Sequence, residues 1–403
     1  MLAVEQALAR ITAAFAPLPS EWVHLAAAAD RVLAQDLVAA RDQPPGDTSA
    51  MDGYAVRATD LASGSATLRL IGSAPAGRTF ERPLAPGETV RIFTGGLLPD
   101  GADAVALQEN ATAEGDRIRI EGAPEPGAYV RPAGLDFRRG ERALPAGRRL
   151  SARDIGLAAA LNHAWLPVRR RPRIALLATG DELVLPGQPL ERSQIVNSNS
   201  VALAAMVRHW GGEAIDLGIA RDDPEALAAV TSQLRGVDLV VTLGGASVGE
   251  RDLVRGVLGA HGLELDFWQI AMRPGKPLMF GRVQDVPLLG LPGNPVSAGV
   301  CAVLFVRAAI CVLLGLDPAP PEVPAVLGAP LGANDRREDY LRAQVEWQGD
   351  GRLAAIPAPR QDSSMLATFA RADCLIKRPP HAPAIPPGTV VSVLLLGSGP
   401  VGI

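Results

Sequence analysis

Apolar residues recur at helical spacing at the start of the chain. Leu2, Val4, Ala7, Leu8, Ile11 and Phe15 fall along one side of a helix drawn through residues 2–16. After residue 20 that rhythm stops. Glycine and proline interrupt short runs at 68–73 (LRLIGS), 88–95 (ETVRIFTG), 103–109 (DAVALQE) and 116–122 (DRIRIEG). Val90 and Ile92, and again Ile118 and Ile120, alternate with polar residues, as the two faces of a strand require. Residues 21–170 therefore read as a β-rich block.

From residue 173 strand and helix patterns alternate. RIALLA (173–178), EAIDLGIA (213–220), DLVVTL (238–243) and LDFWQIAM (265–272) read as strands. NSNSVALAAMVRHW (197–210), PEALAAVTSQLR (224–235) and DLVRGVLGAHG (252–262) read as the helices between them. Repeated units of this length predict a mostly parallel sheet with helices on both faces. Two more strands, PLMFG (277–281) and VPLLG (286–290), lead into a long apolar run, Val296 to Leu316. That run is long enough to imitate a membrane span, but Arg307 sits at its centre and Asn294-Pro295 open it as a cap and first turn. It is expected to be a buried core helix. Residues 317–403 turn β-rich again, with LRAQVEWQ (341–348), RLAAIPA (352–358) and TVVSVLLLG (389–397), and DPAPPEVP (317–324) is a plausible linker.

Bulk properties narrow the class. The 403 residues exceed one core and predict two to four domains. With 48% hydrophobic and 20% charged residues the chain is not disordered, and a net charge of −4 offers no general attraction to nucleic acid. Three cysteines without a C-x-x-C pair and five scattered histidines argue against a disulfide framework and a zinc site. The first residues lack the features of a secretory signal, so a cytoplasmic enzyme is expected.

In an open parallel sheet, ligands bind at the carboxyl ends of the strands. Four polar loops follow the strands here: Thr179-Gly180-Asp181-Glu182-Leu183, Arg221-Asp222-Asp223-Pro224, Gly244 to Asp252, and Arg273-Pro274-Gly275-Lys276-Pro277. Gly244, Gly245 and Gly249, with Ser247 between them, allow backbone N–H groups to converge on an anion, though a tight structural turn has the same composition. The loop matches neither the P-loop nor the dinucleotide fingerprint. Glu182, Asp222 and Asp252 suit a hard cation that bridges phosphate oxygens, and equally suit helix capping. Arg273 and Lys276 are either an oxyanion clamp or a solvated turn. Within the β-rich block, Met51-Asp52-Gly53-Tyr54 is either a β-turn or part of a site.

These strings together resemble the molybdopterin molybdenumtransferase family, the MoeA type that also forms the C-terminal domain of gephyrin. The resemblance runs in order through SAMDGYAV (49–56), RIFTGGLLPDGADAV (91–105), RPAGLDFRRGE (131–141), LLATGDEL (176–183), LGIARDDP (217–224), GGASVGERD (244–252), AMRPGKP (271–277), LPGNPVSA (291–298) and RREDYLRA (336–343). It implies an elongated multidomain subunit of α/β plus β class. Residues 1–20 would join a molybdopterin-binding α/β domain at 171–316; 21–40 and 141–170 would form a connecting domain, 41–140 a β-rich second domain, and 317–403 a C-terminal β-barrel-like domain.

The activity implied is conversion of adenylylated molybdopterin and molybdate to molybdenum cofactor and AMP, with Mg²⁺. A homodimer with composite active sites is also implied, together with contact with other proteins of molybdenum cofactor biosynthesis. Matching positions give Asp52, Thr94, Asp136, Glu182, Asp222, Asp252, Arg273, Lys276, Arg342 and Ser363 as site residues, with Glu182, Asp222 and Asp252 as metal ligands. The chain departs from the family pattern at two places: Gln269 and Arg273 stand where many members have lysine, Arg273 keeping the charge and Gln269 losing it, and Leu135 precedes Asp136 where an acidic residue is frequent. Two other readings compete, a molybdopterin adenylyltransferase and a gephyrin-like binding or scaffold protein. The extra β-rich domains weigh against the first, and the acidic rim weighs against the second.

Overall fold

The computed structural model describes residues 1–220, 234–244 and 263–397. The chain divides into two compact units, one of Met1–Trp22, Asp30–Ala34 and Pro167–Ile403, the other of Val23–Ala29 and Gln35–Leu166. The predicted helices at 224–235 and 252–262 lie outside the described residues, apart from the last two positions of the first.

In the larger unit a six-stranded sheet runs Glu213–Ala220, Arg173–Thr179, Leu239–Leu243, Val286–Leu291, Met279–Val283, Leu263–Phe267. The first four strands are parallel. Met279–Val283 runs against its neighbours on both sides, which returns the edge strand Leu263–Phe267 to the common direction. Ile174 to Ala178 are buried without a break, because both faces of a parallel sheet are covered and alternation is lost. The helix Ser198–His209 is capped by Asn197, whose side chain accepts from the Ser200 N–H.

The run at 265–272 does not form one strand. Leu263–Phe267 stays in the sheet, while Met272–Arg273 pairs with Glu338–Trp347. Leu2 takes the backbone in between: its N–H donates to Gln269, and its carbonyl accepts from Ala271. Ile270 and Met272 are driven into the core at 0% exposure, so apolarity here marks burial and not strand continuity.

The apolar helix spans Pro295–Leu314, with a π-helical segment at Ala302–Val306 and Gly315 in the left-handed region at its end. By length and composition it could cross a membrane, but 83% of its apolar window is buried. Its Val300, Phe305 and Ile310 pack in one core with Val4, Ala7 and Ile11 of the first helix, Val4–Ala13. Beyond it, Glu338–Trp347, Leu353–Pro357, Glu322–Leu327, Val390–Leu395 and Cys374–Arg378 close into a five-stranded barrel, the last strand pairing back to the first. Leu327, Ala355, Ile376 and Val393 fill its interior.

The smaller unit is built on a sheet ordered Ala104–Leu107, Gly53–Val56, Glu88–Ile92, Ser65–Ala74, Arg117–Glu121, Ala111–Glu114. Both of its faces are covered. Tyr54 and Val56 join Ile118 and Ile120 on one side, and Ala55 joins Val90 and Ile92 on the other. The alternation read at Arg117–Glu121 is the face that buries Ile118 and Ile120.

Candidate functional site

The carboxyl ends of the central strands of the larger unit meet at glycines. A Cβ on Gly244 would lie 2.7 Å from the Thr179 carbonyl, so the two strand ends touch only because that side chain is missing. Gly180 has φ +144, and a Cβ there would run into the Glu182 carboxylate at 2.6 Å. Glu182 is thereby free to fold back over the strand end, exposed and without an ion pair among the described residues. Beside it the Thr179 hydroxyl is buried with no hydrogen-bond partner among the described residues. An orphaned buried hydroxyl at a strand end is what a polar ligand, or a further polar group, would satisfy.

A chain of contacts leads from this edge into the barrel. Asn199, in the first turn of its helix, donates to the Gly293 carbonyl at 2.7 Å. Its neighbour Asn294 caps the apolar helix in sequence, yet its amide turns away to donate to the Ser363 hydroxyl at 3.0 Å. The Val296 N–H donates to the Ser363 carbonyl at 3.1 Å. One residue back, the Asp362 carbonyl accepts from Arg342 at 3.0 Å. Arg342 is 1% exposed, its Nε has no partner, and no carboxylate forms an ion pair with it among the described residues. Burial lowers its pKa, with the nearby Asp362 opposing. The arrangement links a buried guanidinium and a serine hydroxyl through adjacent residues, and both groups are suited to an oxyanion.

Arg273 is placed differently from the clamp expected of it. It forms a tight pair with Asp339 and further contacts to Asp335 at 3.5 Å and Asn334 at 3.3 Å. The Asp339 carboxylate raises the Arg273 pKa above its usual value. Its charge is therefore largely answered within the protein. Lys276 is exposed, and its ammonium makes no ion pair with the described residues. Gln269 contributes its backbone carbonyl to Leu2.

In the smaller unit, Asp52 Oδ1 accepts from the Thr94 N–H at 2.7 Å and from the Thr94 hydroxyl at 2.9 Å. Those two donors, with a lesser contribution from Arg91, hold the Asp52 carboxyl below its usual range. Arg91 lies over the rings of Tyr54 at 5.0 Å and Phe93 at 5.2 Å and reaches Gln108. The structure thus joins Asp52 with Thr94, two residues that are 42 positions apart in sequence. Asp136 sits on an exposed loop, and no hydrogen bond of its side chain links it to that pair among the described residues.

Asp222, Gly245, Ser247, Gly249 and Asp252 lie outside the described residues. Of the three expected metal ligands only Glu182 is described, and no cluster of three candidate ligands occurs among the described residues. A carboxylate oxygen without an ion pair suits a hard cation such as Mg²⁺ in kind. Sequence reasoning passed over Asn199 and Asn294 as a helix residue and a cap. The signal available was Asn294 within the LPGNPVSA string at 291–298, where the cap precedes a proline that has no N–H to be capped.

Three family models match the chain: the MoeA N-terminal region (domain I and II) over residues 2–162, a probable molybdopterin binding domain over 175–311, and the MoeA C-terminal region (domain IV) over 324–396. A molybdopterin molybdenumtransferase of Haemophilus influenzae is 35% identical, over 93% of this chain and 94% of its own length. The chain belongs to the MoeA family. A molybdopterin molybdenumtransferase of Nostoc sp. is 40% identical, over 80% of this chain and 76% of its own. The crystal structure of a MoeA protein of molybdopterin biosynthesis from Pyrococcus horikoshii matches with a TM-score of 0.87 at 32% identity, covering 99% of this chain and 100% of that one. The multidomain α/β fold with a closed C-terminal barrel is the MoeA fold.

Proposed function

We propose that this chain inserts molybdenum into molybdopterin, converting adenylylated molybdopterin and molybdate to molybdenum cofactor and AMP with Mg²⁺. Two kinds of support converge. Relatives that cover nearly the whole chain carry the name molybdopterin molybdenumtransferase. The carrying structural observation is the run of contacts from Asn199 through Gly293, Asn294, Ser363 and Asp362 to the buried Arg342. It links a cation that has no ion-paired carboxylate among the described residues to the sheet edge at which the Thr179 hydroxyl is left without a partner among those residues. A scaffold has no use for an uncompensated buried guanidinium, since burying it costs stability.

The residues divide the work. Arg342 and Ser363 would hold molybdate, one by charge and the other by its hydroxyl. The edge at Thr179, Gly180 and Gly244 would hold the phosphate end of the pterin, with the glycine loop through Gly245, Ser247 and Gly249 continuing it. Glu182, with Asp222 and Asp252, would hold Mg²⁺, which supplies charge neutralisation at the phosphoanhydride. Asp52, kept ionised by Thr94, would act from the smaller unit, and Asp136 with it. Lys276 remains a candidate for the approaching oxyanion, whereas Arg273 is the weaker one because Asp339 already pairs with it. The domain division read from the sequence, a cytoplasmic location and a homodimer with shared clefts complete the proposal.

The test is AMP release from adenylylated molybdopterin by purified protein. Release should require both molybdate and Mg²⁺. Equal release in chelator without molybdate would defeat the assignment.

A further inference from the structure

We propose that the larger unit carries a second ligand site, for an organic monoanion with an apolar body. The site is a groove of about 600 Å³ between the helix Ser198–His209, the helix Pro295–Leu314 and the barrel strand Val390–Leu395. Both helices follow parallel strands and start at the same sheet edge, where Asn199 binds Gly293. They run from there to His209 and Arg307, about 15–18 Å away at 1.5 Å per residue. Ala202, Ala205, Ala298 and Ala302 line the groove, with Phe369 and Leu394 among the larger walls. Small residues on both helices are what leave the space between them.

Charge selects the occupant. Arg307 lines the groove, and no aspartate or glutamate lines it among the described residues. The named acceptors of Arg307 are neutral: the Pro318 carbonyl at 3.0 Å, the Ala319 carbonyl at 2.8 Å and Cys311 Sγ at 3.5 Å. Its Nε is buried with no partner among the described residues. Arg307 directly follows the π-helical segment Ala302–Val306, which widens the helix at the groove wall. A neutral apolar ligand would fill the groove and leave the Arg307 guanidinium with neutral acceptors alone. A ligand with one carboxylate or sulfonate would fill it and satisfy the guanidinium. The volume falls within the ordinary range for small-molecule sites, roughly 300–1,000 Å³.

The probe is 8-anilinonaphthalene-1-sulfonate, titrated against the full chain and compared with neutral N-phenyl-1-naphthylamine, which has the same body without the charge. One sulfonate should bind per chain, at least about tenfold tighter than the neutral probe, the gain expected from one charge-assisted hydrogen bond. Arg307→Gln should remove that preference and Arg307→Lys should restore most of it. Ala205→Phe, at an exposed helix position, should weaken both probes. Circular dichroism melts check that each variant folds. If Arg307→Gln fails to fold, the preference in the parent and in Arg307→Lys still decides. A parent preference below about tenfold, or an unchanged one in folded Arg307→Gln, overturns the proposal. Binding of neither probe overturns it too.

Discussion

Arg342→Met separates a catalytic guanidinium from a structural one. The native side chain is 1% exposed and, among the described residues, makes one side-chain hydrogen bond, to the Asp362 carbonyl at 3.0 Å. Its backbone N–H bond to Gln361 survives the change. Methionine of similar length removes the charge and that single bond. The lost charge-assisted bond costs about 1.5–3 kcal/mol. Against it stands the penalty for burying an ion without a paired carboxylate, several kcal/mol after relaxation (roughly 3–5). The two offset, and the burial-lowered pKa of Arg342 has the sign of a charge that folding opposes. Arg342→Met should therefore melt at or slightly above the parent temperature, where each kcal/mol is worth roughly 2–4 °C for a unit of this size. Molybdate-dependent AMP release should fall by about two to three orders of magnitude, the usual loss for one preorganised oxyanion donor. Differential scanning calorimetry and the AMP assay read the two effects on one preparation. A melting temperature lowered by more than about 5 °C with turnover retained would mean the guanidinium serves the barrel and not the oxyanion.

Three further outcomes are expected. Asp52→Asn keeps an acceptor for Thr94 but loses the charge that Thr94 stabilises, so turnover should fall at least about a hundredfold with little change in melting. Glu88 in the smaller unit is held at about 2 by Arg69 and Arg82, against an ordinary 4.5. Its stabilising contribution is present above pH 4.5 and is lost as pH falls toward 2, so Glu88→Gln should flatten the acid limb of a urea-stability profile that the parent shows. Mixing exchanged Asp52→Asn and Glu182→Gln subunits should restore roughly a quarter of parental activity, since about half the dimers are mixed and each has one intact cleft. No recovery with exchange confirmed by mass would count against shared clefts.

Much of the fold is legible in the sequence, because burial on both faces of a parallel sheet writes a continuous apolar run such as Ile174 to Ala178. The same rule failed at 265–272. There an equally apolar stretch serves two sheets, and the reason is Leu2, more than 250 residues away, whose backbone occupies the segment between them. Periodicity reports that a residue is buried and is silent on which strand receives its hydrogen bonds.

Site legibility follows a similar division. Gly180 and Gly244 were visible because close backbone approach restricts residue type. Charges were visible too, but their availability was not. Arg273 and Arg342 look alike in sequence, one in RPGKP at 273–277 and the other in YLRA at 340–343. Tertiary structure gives Arg273 the carboxylates of Asp339 and Asp335 and leaves Arg342 with a single carbonyl among the described residues. An ion-paired arginine must break that pair to receive an oxyanion, whereas a buried arginine without one gains a counter-charge when the oxyanion arrives. On the proposed function, the binding free energy would therefore favour Arg342 over Arg273, even though Arg273 is the more exposed of the two.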